Sequence, residues 1–431
     1  MKREHDIAPL WPPQPADRCQ PSAFVDEDRL AARIQAMARI GATPGGGVNR
    51  QALTPEDAQA QALLATWGAE LGLHPSRDAA GNLFLRMEGS EGGPAVLSGS
   101  HLDTQPTGGR YDGTYGVLAA LEAVQAIRES GIVPRRPIDV VAWMNEEGSR
   151  FAPGMMGSAT YAGARTLDEI LGVRDASGTS VGQALAETAA RLHHIPSRPL
   201  GGSAYAYVEA HIEQGPVLER KGIPLGVVTA IQGKHTFRVT VEGEAAHAGT
   251  TRRSERRDAL LAACAMVNAL VAALHDDEDI VKFTVGRFEV TPGAPSVVAS
   301  RVVFSIDLRH PDSGRLRELS ACVQPICASH AGPCGVTVQR LSAADSLAFP
   351  ESMRQRLHKA ADALGIAHLD LPSAAGHDAR FLSSVCPSAM LFIPCRAGIT
   401  HNEAEYASPA DMATGARVLA NVLAELSLEQ A

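Results

Sequence analysis

The segment VLSGSHLDTQPTGGRYDGTYGVLAALE (96–122) places His101, Asp103 and Asp112 in a short polar loop, between an apolar run that reads as a buried strand and one that reads as a helix. α/β proteins keep their chemistry in such strand-end loops. Three further polar loops follow apolar runs in the same way and carry Glu146-Glu147, His211 and His401. Each residue also has a plainer reading. Asp112, just before a helix, is a possible N-cap, Glu146-Glu147 a solvated acidic pair, and His401 a loop histidine.

Loops beyond the carboxyl ends of parallel strands all lie on one sheet edge, so His101, Asp112, Glu147, His211 and His401 can converge although they are far apart in the chain. Three imidazoles and two carboxylates suit two borderline divalent ions, zinc by default, with manganese or cobalt also acceptable. One carboxylate must then bridge, and Asp112 at the helix start is the candidate. Adjacent side chains at a strand end project differently, so Glu147 can ligate while Glu146 faces water as a general base. Asp103, two residues after His101, is placed to accept from the second ring nitrogen and fix the tautomer. His193-His194 lacks such a setting and reads as solvated loop.

The elements that would position these groups are legible as runs. Pro94–Ser98 delivers His101, Gly116–Glu129 is the helix behind Asp112, and Ile138–Met144 is near-continuously apolar, as central parallel strands are. Strand, helix, strand in this order implies a right-handed crossover and a parallel sheet. Tyr205–Ala210 leads into His211, and Ala389–Ile393 precedes the loop bearing His401. Between them the style changes. Phe237–Val241 alternates as a half-buried strand, Arg256–His275 is a long helix, and Val302–Leu308, Leu316–Ala328 and Val336–Leu341 follow as strand, helix and strand. This predicts an α+β module, 232–342, inserted into an α/β domain formed by 1–231 and 343–431, with 1–27 as an extended Pro-rich tail.

Bulk properties agree. The chain of 431 residues exceeds the roughly 250–300 at which single cores stop growing, so two domains are expected. A formal net charge of -9 argues against nucleic-acid or membrane-surface binding, which would need excess Lys and Arg. The cluster Arg252, Arg253, Arg256, Arg257 reads as a solvated loop and helix start. Seven cysteines without a C-x-x-C pair indicate neither a disulfide framework nor a thiolate zinc site, and a reducing cytoplasm fits best. The start of the chain has no apolar core of the signal-peptide kind. The longest apolar run, Leu260–Leu274, is too short for the ~20 residues of a membrane span and reads as a buried helix.

At the residues singled out, the sequence resembles the hydantoinase/carbamoylase family of metal-dependent amidohydrolases, a branch of the aminoacylase and carboxypeptidase superfamily. The matching segments are GSHLDTQPTGGRYDGTYGVLAALEAV, NEEGSRFAPGMMGS, EAHIEQGPVLE, FRVTVEGEAAHAGTT, FSIDLRHPD, AAGHDA and ITHNEAEY, in family order. His211, where the peptidase branch carries a carboxylate, points to the carbamoylase side.

The resemblance implies a zinc-exopeptidase-like catalytic domain with an inserted dimerisation or lid domain, metal ligation by the five residues named, and Glu146 as base. It also implies substrate contacts from Gln214, His247, Arg309 and His377, and a homodimer in which His247 reaches the neighbouring subunit's site. Arg309 would grip a substrate carboxylate, and His247 would donate to the oxyanion. Two positions depart from the pattern: Ser296 stands where Asn is usual, and Ala374 where Gly is usual. The expected reaction is cleavage of the ureido C–N bond of N-carbamoyl-L-amino acids, with allantoate or N-carbamoyl-β-alanine as alternatives. Hydrolysis of N-acyl amino acids is argued against by His211, and an inactive metal-binding role by the intact Glu146.

Overall fold

The computed structural model describes residues 20–430. Two compact units make up the chain: one runs up to Val227 and includes Pro350–Leu369 and the residues from His377 onward, and the other comprises Val228–Phe349 with Asp370–Gly376.

The first unit is built on four parallel strands in the order Ile138–Trp143, Ala95–His101, Ala204–Ile212, Ser388–Ile393. All residues of Ala95–His101, Ile138–Trp143 and Ser388–Ile393 are buried, which is why these runs are apolar without alternation. Leu83–Met87 adds antiparallel beside Ile138–Trp143, with His74–Arg77 antiparallel beyond it. His74–Arg77 was not legible as a strand because it carries a proline and no apolar alternation, both tolerated at an edge. At the other side Leu225–Ile231 pairs antiparallel with Ser388–Ile393 through Val227 and Gly226.

Helix Thr114–Glu129 packs against these strands at backbone distance. A Cβ on Gly116 would lie 2.3 Å from the Ala210 carbonyl oxygen and 2.8 Å from Ser100 Cβ, so only glycine lets the helix approach the strands that carry His101 and His211. Helix Pro409–Leu428 packs beside it, started by the Ser408 hydroxyl accepting from Asp411 N and by proline in its first turn. Glu122, fully buried on Thr114–Glu129, is held by Arg29 at 2.6 Å and Arg33 at 3.1 Å.

The expected extended tail 1–27 is partly corrected. Residues 1–19 lie outside the described residues, but Pro21–Phe24 forms a 3-10 turn whose Ser22 N–H donates to Asn421. Helix Glu27–Ala38 then begins at an Asp26 cap.

The second unit holds an antiparallel sheet in the order Phe288–Thr291, Arg301–His310, Gly233–Glu242, Gly335–Ala344. Helices Ala259–Ala273 and Ser313–Ser329 bury Met266, Leu270, Leu316 and Val323 in a core with Val239, Val241, Phe304 and Ile306. The apolar run expected to be a buried helix is only half so: Ala262, Ala263, Met266 and Leu270 face inward, whereas Leu261 and Val271 are 67% and 52% exposed. Among the described residues no helix is long and apolar enough to cross a membrane.

Candidate metal centre

The four parallel strands end on one edge of their sheet. His101 is the last residue of its strand, His211 the penultimate residue of its own, Glu146-Glu147 follow Trp143, and His401 lies in the loop beyond Ile393. Their donor atoms form two groups, His101–Asp112–His211 and Asp112–Glu147–His401, each with all atoms within 4.8 Å of one another. Asp112 belongs to both. Its Oδ1 is 3.2 Å from His211 Nε2 and 3.8 Å from His101 Nε2, and its Oδ2 is 3.3 Å from His401 Nε2. Glu147 closes the second group at 3.4 Å from His401.

The N-cap reading of Asp112 fails on this geometry. The cap of Thr114–Glu129 is Gly113, which makes no side-chain cap bond, and the Asp112 oxygens face imidazoles instead of helix amides. Gly113 has φ +63°, and a Cβ there would stand 2.3 Å from the His101 ring. Behind Asp112 lies a set of groups that the sequence did not single out. Glu405 accepts the Tyr111 and Asp112 N–H groups at 2.9 and 3.0 Å, and the Thr400 hydroxyl is 3.0 Å from both Asp112 Oδ2 and Glu405. Gln214, expected to touch substrate, donates to Asp112 Oδ2 at 2.9 Å.

The donor set fits cations. His101 Nδ1 meets the Asp103 carbonyl and His211 Nδ1 the Ile212 carbonyl, each at 2.9 Å, so both rings carry a proton on Nδ1 and turn Nε2 toward Asp112. The expectation for Asp103 is thereby corrected. Its main-chain oxygen, not its carboxylate, sets the His101 tautomer, because the carboxylate stands 3.8 Å off and accepts from the Glu146 and Glu147 N–H groups at 3.1 and 3.2 Å. Asp103 thus holds the backbone of the acidic pair. Glu147 accepts from Gln105 at 2.7 Å, and Glu146 Oε2 lies 3.6 Å from His101 Nε2.

Buried carboxylates outnumber buried cations here. Burial, followed by Asp378, Glu147, Asp103 and Asp112, holds Glu146 well above the usual carboxylate range. Burial and then Asp112 push Glu147 up to about 8, and burial takes Asp103 to about 7. Arg50, fully buried nearby, donates to the Leu102, Met37 and Ile40 carbonyls and the Thr114 hydroxyl, not to a carboxylate. Burial opposes the protonation of His211, but its bond to Asp112 prevails and raises it to about 9; the same carboxylate raises His401 to about 9.

His377 is also in this unit, its ring 4.7 Å from that of His211, and it groups with His211 and the buried Glu209. Glu209 accepts from Ser100 at 2.8 Å and from the Ala379 N–H at 3.0 Å. The sequence held one signal for it, since it stands two residues before His211 on the same strand face. His247, Ser296 and Arg309 belong to the second unit. There Val297 pairs with His247, and Ala248 N–H donates to the Ser296 carbonyl. His247 is exposed, and its Nδ1 accepts from the Gly249 and Thr250 N–H groups at 3.0 and 3.1 Å, which leaves the proton on Nε2. Arg309 is not an open fork: its Nε and Nη2 bond both oxygens of Asp307 at 2.8 and 3.1 Å, and Nη1 donates to the Ala374 carbonyl.

These shifts have a pH consequence for metal-free protein. Glu147, Asp103 and Glu405 have folded pKa values above their unfolded ones, at about 8, 7 and 7, so folding holds protons that the unfolded chain releases and stability falls as pH rises through that range. The stabilisation of His211 and His401, raised to about 9, is likewise lost as pH rises through that value. Chelated protein is therefore expected to lose thermal stability from pH 6.5 to about 9, with zinc restoring more at pH 8.5 than at pH 6 because ligation displaces protons. A melting temperature independent of pH after chelation would contradict this.

The fold and site agree with what the chain resembles. Residues 97–425 match the model of peptidase family M20/M25/M40. An N-carbamoyl-L-amino-acid amidohydrolase of Rhizobium meliloti is 37% identical over 408 residues, covering 93% of this chain and 96% of that protein. An allantoate amidohydrolase of Bacillus subtilis is 33% identical over 404 residues, covering 91% and 96%. The crystal structure of a hydantoinase/carbamoylase family amidase from Burkholderia multivorans superposes with a TM-score of 0.87 at 39% identity, over 95% of this chain and 100% of that one. With a nitrogen and oxygen donor set at the strand ends and family likeness over most of its length, the chain belongs to the metal-dependent peptidase family M20/M25/M40, among its hydantoinase/carbamoylase amidases.

Proposed function

We propose that the chain hydrolyses the ureido C–N bond of N-carbamoyl-L-amino acids, releasing the amino acid, with the carbamate lost as carbon dioxide and ammonia. The observation that carries this reading is Asp112 dividing its two oxygens between two donor groups, with Glu146 beside them. His101, Asp112 and His211 would hold one divalent cation and Asp112, Glu147 and His401 a second, zinc by default and manganese or cobalt by chemistry also acceptable. When bound, such cations polarise a carbonyl and acidify water.

The chain's own groups do the rest. Glu146, kept out of bulk water and among carboxylates, has the raised proton affinity that a base needs to take a proton from water and pass it to the leaving nitrogen. His247, with its proton on Nε2, is a neutral donor suited to a developing oxyanion. Arg309 would receive the substrate carboxylate on the edge that Asp307 leaves open, a weaker grip than a free fork gives. Gln214 and His377 would complete the wall around the substrate. Ser296, shorter than Asn, leaves space for a sizeable side chain and favours carbamoyl α-amino acids over N-carbamoyl-β-alanine.

The second unit would serve as the dimerisation and lid module. The exposed apolar face of Ala259–Ala273, with Leu261 and Val271, supports a homodimer, since an apolar helix face left in water is unfavourable. No nucleic-acid or membrane partner is proposed, and a cytoplasmic setting follows from the cysteine usage. Allantoate is the second reading, supported by the Bacillus subtilis relative.

Chelation is expected to abolish turnover, and Glu146→Gln to keep its metal content while losing ~10²–10⁴-fold in rate. Near-normal turnover of that variant would remove Glu146 from the role of base. Mixing inactive Glu146→Gln with inactive His247→Ala under verified subunit exchange is expected to restore part of the activity, because one site of each heterodimer receives both native groups. No recovery would count against a site shared between subunits. Substrate comparison tests the class: bulky N-carbamoyl-L-amino acids should exceed N-carbamoyl-β-alanine and allantoate in kcat/KM, and efficient turnover of allantoate alone would reverse the ordering.

A further inference from the structure

A cavity of about 410 Å³ lies in the first unit between the edge strand His74–Arg77 and helix Val181–Arg191, and none of its lining residues belongs to the metal centre. This volume is in the range of small-molecule sites, roughly 300–1,000 Å³. Its apolar lining includes Leu185, Leu192 and Ile195, and its polar lining includes Arg77, Asp78, Ser197 and Arg198. Arg77 is only 8% exposed, and among the described residues no hydrogen bond or ion pair reaches its guanidinium; its Nε is fully buried without a partner.

Of its donors the Nε N–H has left water altogether, and a buried donor without an acceptor is costly; the other guanidinium N–H groups keep some accessible surface and also lack a protein acceptor. The neighbouring carboxylates do not supply the missing bonds. Asp57 attracts Arg77 but spends its oxygen on the Leu53 N–H and the Gln61 amide. Asp78 accepts from the Ala80 and Asn82 N–H groups and the Asn82 amide at 2.8–3.0 Å. They make a cation tolerable here while leaving its donors unused. Arg198 is already committed, sharing Asp139 with Arg86 and lying over the Phe84 ring at 4.0 Å. The loop beneath is fixed, since Arg77 N–H donates to the Pro196 carbonyl at 2.9 Å and Arg198 N–H to the Arg77 carbonyl at 2.8 Å.

From this geometry we propose that the cavity is a binding site for a small aliphatic monocarboxylate, with its anion on Arg77 and its hydrocarbon part against Leu185, Leu192 and Ile195. One negative charge matches the one uncommitted cation of the wall. A dianion such as phosphate would bring excess negative charge near Asp78, which also lines the cavity, and would leave the apolar lining unused. The site is separate from the ureido chemistry proposed above and does not depend on it.

The test is calorimetric titration of the full-length, metal-loaded protein with 4-methylpentanoate, 4-methylpentanamide and inorganic phosphate. Wild type is expected to bind one 4-methylpentanoate per chain with a Kd at or below about 1 mM, and the amide and phosphate about tenfold or more weakly. Arg77→Gln should weaken the carboxylate by about tenfold or more, since it removes a charge-assisted bidentate contact. Ala189→Trp, a change at an exposed helix position on the cavity mouth, should do the same by filling the space, and it decides the matter alone if Arg77→Gln does not fold. Absent binding, binding unchanged in the variants as for capture at the metal centre, or equal or tighter binding of the amide or phosphate would each overturn the proposal.

Discussion

The Asp112 carboxylate is the point on which the rest of the site depends, because it must present one oxygen to His101 and His211 and the other to His401. An unrestrained aspartate would rotate. Here Glu405 pins the backbone at Tyr111 and Asp112, and Gln214 and Thr400 hold Oδ2 from the far side. Gly113 lets the His101 ring pass where any Cβ would stand. Gly116 in turn lets the helix behind Asp112 seat directly on the strands that carry the two buried histidines. Helix, strands and the Asp112 carboxylate therefore form one packed body, which is how a short side chain is kept in one orientation.

Holding this arrangement costs free energy, and the cost is local. Asn145, Gln214 and His401, all at or beside the candidate metal centre, have φ of +54°, +55° and +53°, a region that non-glycine residues adopt uncommonly. Carboxylates are crowded into the same low-dielectric space without matching cations, so their proton affinities rise. Both features are sustained by the surrounding core, in which three of the four parallel strands are completely buried and the fourth is buried from Ala206 onward. A site with this balance is arranged for positive charge before any arrives.

The two units divide the chemistry by exposure. The first keeps His101, His211 and Asp112 deep, with both rings donating to main-chain oxygens, and leaves His401 half exposed. The second presents His247 on a two-stranded ribbon, exposed and tautomerically defined, and keeps Arg309 partly satisfied by Asp307.

Much of this was readable from residue order alone. The apolar runs leading to His101, Glu146-Glu147 and His211 are strands because buried parallel strands need no alternation. The convergence of strand-end residues follows from topology, so the residues that the structure brings together around Asp112 could be named together. Fold class and family were legible for the same reason: they rest on periodicity and on motifs within single segments. What tertiary structure decided is which atom meets which. Asp103 uses its carbonyl for His101 and its carboxylate for the acidic pair, Glu405 and Thr400 turn toward Asp112, Asp307 takes the fork of Arg309, and Arg77 is left facing a cavity. Such pairings depend on distances between segments hundreds of residues apart and on the last ångström of side-chain rotation. Neither quantity is encoded in a local pattern of polar and apolar residues; both are set only when the layers pack.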